Sequence, residues 1–226
     1  MTRPALLLDL DGTLIDSRPG IAAAIHAALR DLGHAPDPAE DFTWMIGPPM
    51  EQVIGDVLAR WGDTRIQHAV DRYRANYAAN GLTGNAVYPG IAEAIPALAA
   101  DFDLFLCTAK RTRFAVPILD DIGLARHFRG IHGTEDDGRF DDKAVLARHI
   151  LAHHSPAHHS PTHHSLARAA MVGDRIHDME AAHANHLPAI GAGWGYGGAD
   201  ELNAAGATVV LDHAAALPDA ARRLLG

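Results

Sequence analysis

The chain has 226 residues, of which 48% are hydrophobic, and this fraction is ordinary for a folded protein and argues against disorder. Its formal net charge of −9 disfavours nucleic acid as a partner, because a phosphate backbone requires a basic surface. The single cysteine, Cys107, excludes an intramolecular disulfide bond, and no apolar run is long enough for a signal peptide or a membrane span. We therefore expect a cytoplasmic protein that does not bind membranes.

The first predicted element is the apolar run ALLLDL at residues 5–10. The run is continuous rather than alternating, which predicts a strand buried on both faces of a parallel sheet. Residues 17–86 follow and carry helical spacing, with breaks at HAPDP (34–38) and MIGPP (45–49). No strand-like run interrupts them, so we expect a helical cap domain at residues 17–86, inserted after the first strand.

From residue 87 the pattern changes to strands that alternate with helices. The further strand-like runs lie at residues 102–108, 168–174, 187–193 and 207–211. The helix-like segments lie at residues 91–100, 113–123, 142–154 and 178–186. This alternation predicts an α/β fold with a doubly wound parallel sheet, formed by residues 1–16 and 87–226. Ligands bind at the carboxyl ends of such strands, where we expect Asp9, Thr108 and Asp174.

The segment HHSPAHHSPTHHS, residues 153–165, holds six of the 16 histidines. One interpretation is a metal-binding tract. The interpretation that we favour is a solvated loop between a helix and the next strand, because paired histidines in a loop rich in proline and serine lack a fixed ligand geometry.

Two aspartates, Asp9 and Asp11, stand one residue apart at the end of the first strand, in the run LLLDLDGTLIDS. Residues i and i+2 of a strand point to the same side, so both carboxylates would enter one pocket, where Gly12 allows a sharp turn. Their repulsion requires compensation, which a hard divalent cation with oxygen ligands would supply. One carboxylate could then act as a nucleophile and the other as a proton carrier. The alternative, a simple turn or helix-cap pair, does not explain the buried strand before them.

At this point the sequence resembles a known family. DLDGTLIDS (9–17) is similar to the first motif of the haloacid dehalogenase superfamily of phosphohydrolases, and CTAK (107–110) is similar to the second. Lys143 fits the lysine of the third motif, and GDRIHD (173–178) resembles the fourth. The resemblance extends over nearly the whole chain, and implies a Rossmann-like core with a helical cap that closes over it.

The resemblance also implies roles for these residues. Asp9 would attack phosphorus to form an aspartyl-phosphate, and Asp11 would protonate the leaving oxygen and then activate water. The remaining roles are phosphate binding by Gly12, Thr108 and Lys143, and Mg²⁺ binding by Asp9, the backbone carbonyl of Asp11, Asp174 and the nearby Asp178.

Several residues remain open in the sequence. Lys110 either lines the pocket or is a surface charge, and His177 is a packing residue more often than a ligand. Arg18, Gly47 and Lys110 are candidates for substrate selection. The loop GAGWGYGG (191–198) is not a dinucleotide fingerprint, because no such glycine pattern follows the first strand, and we expect its glycines to let the loop pass beside the site.

The resemblance narrows the chemistry further. Dehalogenases of this family lack the second aspartate, so Asp11 favours phosphoryl transfer, and phosphonatases need a cap lysine, which residues 17–86 do not contain. The expected partner is a small phosphorylated metabolite, with phosphoglycolate first and a nucleoside monophosphate second. A sugar-phosphate mutase and a catalytically inert protein of the same fold remain alternatives. Either a monomer or a homodimer is compatible with the sequence.

Overall fold

The structure, a computed structural model, describes residues 3–37, 39–40, 43–45, 50–154 and 168–226. The chain divides into two compact units. One comprises Met1–Asp16 and Val87–Gly226, and the other comprises Ser17–Ala86. Each unit is built around its own set of buried side chains.

The first unit is an α/β core, as the sequence predicted. Within the described residues its main sheet has six strands: β1 (Ala5–Leu8), β4 (Asp103–Arg111), β5 (Phe128–Thr134), β6 (Ala169–Gly173), β7 (Ala189–Ala192) and β8 (Val209–Leu211). All neighbours pair in parallel, in the order β5-β4-β1-β6-β7-β8. The strand order reverses direction at β1, and ligand sites of doubly wound sheets lie at the carboxyl ends of strands beside such a reversal. Two short strands, β2 (Ile15–Asp16) and β3 (Ala86–Val87), form a separate pair.

The central strand β1 explains why this sheet is stable. Its three leucines, Leu6, Leu7 and Leu8, have no exposed surface. Leu7 lies opposite Phe105 on β4 and Met171 on β6, and belongs to a cluster of buried side chains on this face of the sheet. A strand that is apolar at each of these positions is stable only between two covered faces, which is the reason for the continuous apolar run in the sequence.

Helices cover this sheet. They are α4 (Ile91–Asp101), α5 (Thr112–Asp121), α6 (Lys143–His154), α7 (Ile176–Ala184), α8 (Gly198–Ala204) and α9 (Leu217–Leu225). The apolar side of α6, with Leu146, Ala147 and Ile150, joins the same buried cluster as Leu7. The start of α6 is fixed by Asp142, whose Oδ1 accepts the backbone N–H of Ala144 at 2.7 Å. This cap determines where Lys143 stands.

The second unit contains helices within its described residues: α1 (Arg18–Asp31), α2 (Met50–Ala59), α3 (Ile66–Asn80) and one 3₁₀ turn (Thr43–Met45). α1 and α3 pack together, and each has buried side chains, among them Ile25 and Leu29 on α1 and Tyr73 and Tyr77 on α3. Apolar residues three or four apart place these side chains on one face of each helix.

Several elements differ from the sequence-based expectation, among them the short strands β2 and β3 and the helix α8, which were not predicted. β4 continues to Arg111 instead of ending near residue 108. β5 has no counterpart in the prediction, because this edge strand is only partly buried, and its sequence FRGIHGT is interrupted by glycine and basic residues. The terminal helix α9 was not predicted either, although its buried residues Leu217, Ala221 and Leu225 have the spacing of one helical face.

Cys107 lies on β4 and has no exposed surface. Burial raises the pKa of its thiol to about 12. The side chain therefore behaves as a small apolar residue of the core rather than as a nucleophile. Among the described residues, no helix is both long enough and apolar enough to cross a bilayer.

Removing the side chain of Leu7 should destabilise the core strongly. Leu7→Ala leaves a cavity at the centre of the sheet, and we expect a loss of about 3 kcal/mol in the free energy of unfolding. Val145→Ala, on a side chain 44% exposed, should change stability by less than about 0.5 kcal/mol. Urea unfolding of both variants measures the difference, and equal losses would contradict the central position of Leu7.

Candidate active site

The loop after β1 forms the first part of the candidate site. Asp9 directly follows the strand, donates its backbone N–H to the Val172 carbonyl at 2.9 Å and is 7% exposed. Gly12 then adopts a φ of +84°, in the left-handed region that favours glycine. A Cβ atom at Gly12 would lie 2.1 Å from Asp174 Oδ2. Glycine is therefore required both for the turn and for the close approach of the loop to the end of β6.

Three carboxylates converge at the carboxyl ends of β1 and β6. Asp174 directly follows β6, and Asp178 lies in the first turn of α7. One carboxylate oxygen each of Asp9, Asp174 and Asp178 lies within 4.8 Å of the other two. Asp174 Oδ1 accepts a hydrogen bond from the Thr13 hydroxyl at 3.1 Å, and its Oδ2 accepts the backbone N–H of Tyr196 at 2.8 Å. These two bonds fix the orientation of the Asp174 carboxylate.

Lys143, the first residue of α6, lies between two of these carboxylates. Its Nζ is 3.0 Å from Asp9 Oδ1 and 2.6 Å from Asp178 Oδ1. Asp178 Oδ2 also accepts the backbone N–H of Arg175 at 3.0 Å, so that both of its oxygens have partners. The ammonium group thus links the end of β1 to the start of α7.

Burial and charge shift the proton affinities of these groups. Burial raises the pKa of Asp9 to about 6, although the Lys143 ammonium opposes this shift, and the carboxylates of Asp178 and Asp11 add to it. Burial likewise raises the pKa of Asp174, with further contributions from Asp178 and Asp9. Burial lowers the pKa of Lys143, but the neighbouring Asp178 and Asp9 outweigh this effect and raise it above its ordinary value. Lys143 therefore remains charged. Its single positive charge does not offset the burial and mutual repulsion that raise the pKa values of Asp9 and Asp174.

The residues around Asp9 fit a divalent cation. Carboxylate oxygens are the ligands that hard divalent cations prefer, and three carboxylates beside one lysine leave a net negative charge. Among the described residues, the buried Asp9 Oδ1 accepts no hydrogen bond. Lys143 lies beside this oxygen and forms an ion pair with it. A cation at this position would satisfy this oxygen and offset the repulsion.

β4 brings Thr108 and Lys110 to the same end of the sheet. Thr108 is 1% exposed, and its hydroxyl oxygen accepts the backbone N–H of Lys110 at 3.2 Å. The Nζ of Lys110 lies 3.0 Å from Asp11 Oδ2, and only 7% of the lysine side chain is exposed. The interpretation of Lys110 as a surface charge is therefore wrong.

Both lysines of the chain consequently serve the two aspartates that follow β1. Lys143 pairs with Asp9, and Lys110 pairs with Asp11. The chain uses arginine for its other 17 basic side chains apart from histidine. The Asp11 carboxylate is not part of the group formed by Asp9, Asp174 and Asp178 among the described residues. A role of Asp11 in metal binding through its backbone carbonyl stays a prediction.

The loop after β7 supplies contacts that the sequence did not assign to particular residues. Trp194 Nε1 donates to the Thr13 carbonyl at 3.0 Å, and the Tyr196 hydroxyl hydrogen-bonds with Asp16 Oδ1 at 3.2 Å. A Cβ atom at Gly195 would lie 2.4 Å from the Gly12 carbonyl oxygen. The repeated glycines of this segment indicated a close approach to the site, but nothing in the sequence identified Thr13, Trp194 or Tyr196 as its partners.

The other candidates lie elsewhere. Gly12 was predicted to bind phosphate, and this role stays a prediction; in the structure its backbone N–H donates to the Ile15 carbonyl at 2.9 Å. Arg18 is exposed at the start of α1, in the second unit. Gly47 and residues 155–165 of the histidine-rich segment lie outside the described residues. The side chain of His177 is 49% exposed and lies 3.3 Å from Glu180.

Comparisons with known proteins agree with this geometry. Residues 6–192 match the haloacid dehalogenase-like hydrolase family. The chain is 38% identical over 203 residues to a 5′-nucleotidase of Pseudomonas aeruginosa, which covers 89% of this chain and 87% of the relative. It is 30% identical over 220 residues to a phosphoglycolate phosphatase of Agrobacterium fabrum, which covers 95% of this chain and 91% of the relative.

A solved structure, that of Protein Tyrosine Kinase A (PtkA) of Mycobacterium tuberculosis, is similar with a TM-score of 0.76 and 33% identity. The similarity covers 98% of this chain and 99% of that one. The sequence match, the parallel sheet and the acidic site after β1 all lead to the same conclusion: the chain belongs to the haloacid dehalogenase-like hydrolase family.

Proposed function

We propose that this hydrolase is a Mg²⁺-dependent phosphatase that cleaves small phosphomonoesters through an aspartyl-phosphate on Asp9. The observation that carries the proposal is the buried group of Asp9, Asp174, Asp178 and Lys143 at the carboxyl end of β1. A buried carboxylate that lacks a hydrogen-bond partner on one oxygen is available as a nucleophile once its charge is balanced. The relatives named as phosphatase and nucleotidase support the same reaction class.

In the first step, an Asp9 oxygen forms a bond to phosphorus while the bond between phosphorus and the leaving oxygen breaks. Asp11 gives its proton to the leaving oxygen, so that an alcohol departs and Asp11 becomes a carboxylate. Thr108 donates its hydroxyl hydrogen to a phosphoryl oxygen, and the Lys143 ammonium stabilises the negative charge of the phosphoryl oxygens during the transfer. A Mg²⁺ ion held by Asp9, Asp174 and Asp178 would supply further positive charge for the phosphoryl oxygens.

In the second step, Asp11 takes a proton from a water molecule whose oxygen attacks phosphorus. The bond between phosphorus and the Asp9 oxygen breaks, inorganic phosphate is released, and both aspartates return to their starting states. Asp11 therefore serves as acid and then as base, which requires that its carboxyl group stays at one place through both steps.

We propose two substrate classes, each supported by the name of a relative. Phosphoglycolate is our first candidate, supported by the phosphoglycolate phosphatase of Agrobacterium fabrum. A nucleoside 5′-monophosphate is the second, supported by the 5′-nucleotidase of Pseudomonas aeruginosa. A mutase would return the phosphoryl group to a sugar, whereas an inert protein would neither transfer it nor release phosphate. A panel of substrates therefore separates a phosphatase from a mutase and from an inert protein.

Phosphate release from a panel of phosphomonoesters tests the reaction. With Mg²⁺ and no added acceptor, we expect inorganic phosphate from phosphoglycolate or a nucleoside monophosphate. The rate should fall at least about 10³-fold with Asp9→Asn or with excess chelator, because the nucleophile or the balancing charge is lost. Asp120→Asn, on an exposed side chain of α5, is the matched control and should retain the full rate.

Turnover that persists in Asp9→Asn would overturn the assignment of the nucleophile. Phosphate release that is unaffected by the chelator would overturn the metal requirement. Transfer to an alcohol without phosphate release would place the chain among transferases rather than phosphatases.

Mg²⁺ should stabilise the folded chain independently of catalysis. A ligand at about 100 times its dissociation constant adds about 2.7 kcal/mol to the free energy of unfolding. We expect the melting temperature of the wild type to rise by several degrees with Mg²⁺, and Asp174→Asn to abolish most of this rise. Calorimetry with Mg²⁺ and with excess chelator measures both, and an equal rise in the two proteins would contradict binding at Asp174.

Without metal, Asp9 should make stability depend on pH. Its pKa of about 6 exceeds the ordinary value of 3.8, so the folded chain holds this proton more tightly than the unfolded chain. Stability contributed by Asp9 is therefore lost as pH rises from about 4 to above 6, at about 1.4 kcal/mol for each pKa unit.

The matching measurement is urea unfolding in excess chelator at pH 4.5 and pH 7.5. We expect Asp9→Asn to be more stable than the wild type, by a larger margin at the higher pH. Asp120→Asn gives the baseline for loss of one exposed carboxylate. A margin that shrinks towards pH 7.5 would show that Lys143 outweighs burial at Asp9.

A further inference from the structure

The Lys110 side chain is buried beside Asp11, and the proposed reaction assigns it no role. The Lys110 Nζ lies 3.0 Å from Asp11 Oδ2, and the two side chains are 7% and 14% exposed. Removing a lysine ammonium from water costs free energy, and one well-placed carboxylate recovers part of it. The chain therefore maintains a buried contact between a lysine and the side chain to which the proposed reaction assigns the proton transfers.

A distortion of β4 places Lys110. In the pairing of β4 with β5, Cys107 lies opposite His132 and Arg111 lies opposite Thr134, so β4 contains two extra residues between these pairs. Such bulges are frequent beside active sites, where they redirect a side chain. A Cβ atom at Gly133 would lie 2.1 Å from the Lys110 carbonyl oxygen, so only glycine lets β5 approach the bulge.

Side-chain bonds hold this bulge in place. The Lys110 N–H donates to the Thr108 hydroxyl oxygen at 3.2 Å, and the Thr134 hydroxyl donates to the Ala109 carbonyl at 3.3 Å. The Gly133 N–H donates to the Thr112 hydroxyl oxygen at 3.0 Å. The backbone on each side of Lys110 is thus fixed, and its long side chain extends from a rigid base.

The two oxygens of Asp11 have different surroundings. Oδ2 lies beside the ammonium group, whereas Oδ1 is buried without a hydrogen-bond partner among the described residues. An ammonium group has donors and no acceptor, so Oδ2 is the acceptor in this contact. Oδ1 is therefore the oxygen that remains available to a leaving group.

We propose that Lys110 is a positioning residue that holds Asp11 Oδ2, so that Oδ1 faces the leaving oxygen and delivers its proton. This inference rests on the proposed phosphatase function. Lys110 acts through Asp11 and does not contact the phosphomonoester. Its loss should therefore impair the substrates that depend on proton donation and spare those that do not.

The test compares two substrates in the full-length enzyme with Mg²⁺. An alkyl phosphomonoester, phosphoglycolate or the best alkyl substrate of the panel, needs a proton on its leaving oxygen, whereas p-nitrophenyl phosphate releases a stable phenolate without one. In Lys110→Met we expect kcat/KM to fall about 10- to 100-fold for the alkyl substrate and less than about threefold for p-nitrophenyl phosphate. kcat/KM reports the step in which the leaving group departs, so later hydrolysis does not affect this comparison.

The second readout is the phosphorylated enzyme, trapped by acid quench and detected by its mass. Hydrolysis of the aspartyl-phosphate needs Asp11 as a base, so Lys110→Met turning over p-nitrophenyl phosphate should accumulate more phosphoenzyme than the wild type. Lys110→Arg keeps the charge and should recover part of the alkyl rate. Arg113→Met, which removes an exposed cation three residues away, should match the wild type in both readouts.

Each other outcome overturns the inference. Equal losses on the two substrates, or a higher KM with an unchanged kcat, would assign Lys110 to substrate binding. Unchanged rates on both substrates would leave the ion pair without a role in catalysis. If Lys110→Met does not fold, Lys110→Gln carries the same comparison. A wild type that is inactive on every phosphomonoester would instead remove the proposed function on which the inference rests.

Discussion

The burial of several like charges at one end of a parallel sheet is the constraint on which the rest of the site depends. Asp9, Asp174 and Asp178 can lie together only because Lys143 stands between two of them and because glycines let the backbones approach. Without compensation such a group would take up protons or unfold the end of the sheet, since repulsion between buried charges is weakly screened. Each neighbouring element supplies one part of that compensation.

The supporting interactions come from every strand end around β1. The start of α6 supplies Lys143, the bulge in β4 supplies Lys110, and the glycine-rich loop after β7 supplies the backbone N–H that holds Asp174. Because these segments are far apart in sequence, the site exists only when the sheet is complete. The order of the strands in the sheet therefore determines which side chains meet at the site.

Much of this arrangement could be predicted from the sequence. The run before Asp9 indicated a buried central strand, and two aspartates one residue apart indicated a shared pocket, because both rules involve only neighbouring residues. The partner of Lys110 could not be predicted, since it depends on two extra residues in β4 and on Gly133 in the strand beside it. The hydrogen bonds of Thr13 with Asp174, of Trp194 with Thr13 and of Tyr196 with Asp16 join segments about 160 to 180 residues apart, which no local pattern reveals.

Because Cys107 is buried, its reaction with a thiol reagent can report local opening of the sheet around β4. The thiol lies in β4 immediately before Thr108, has no exposed surface and is held in its unreactive neutral form. An alkylating reagent can reach it only when β4 separates from the sheet, and the chain contains no second thiol to obscure the signal. The rate of labelling therefore measures how often the catalytic end of the sheet opens, since Cys107 does not react while the sheet is closed.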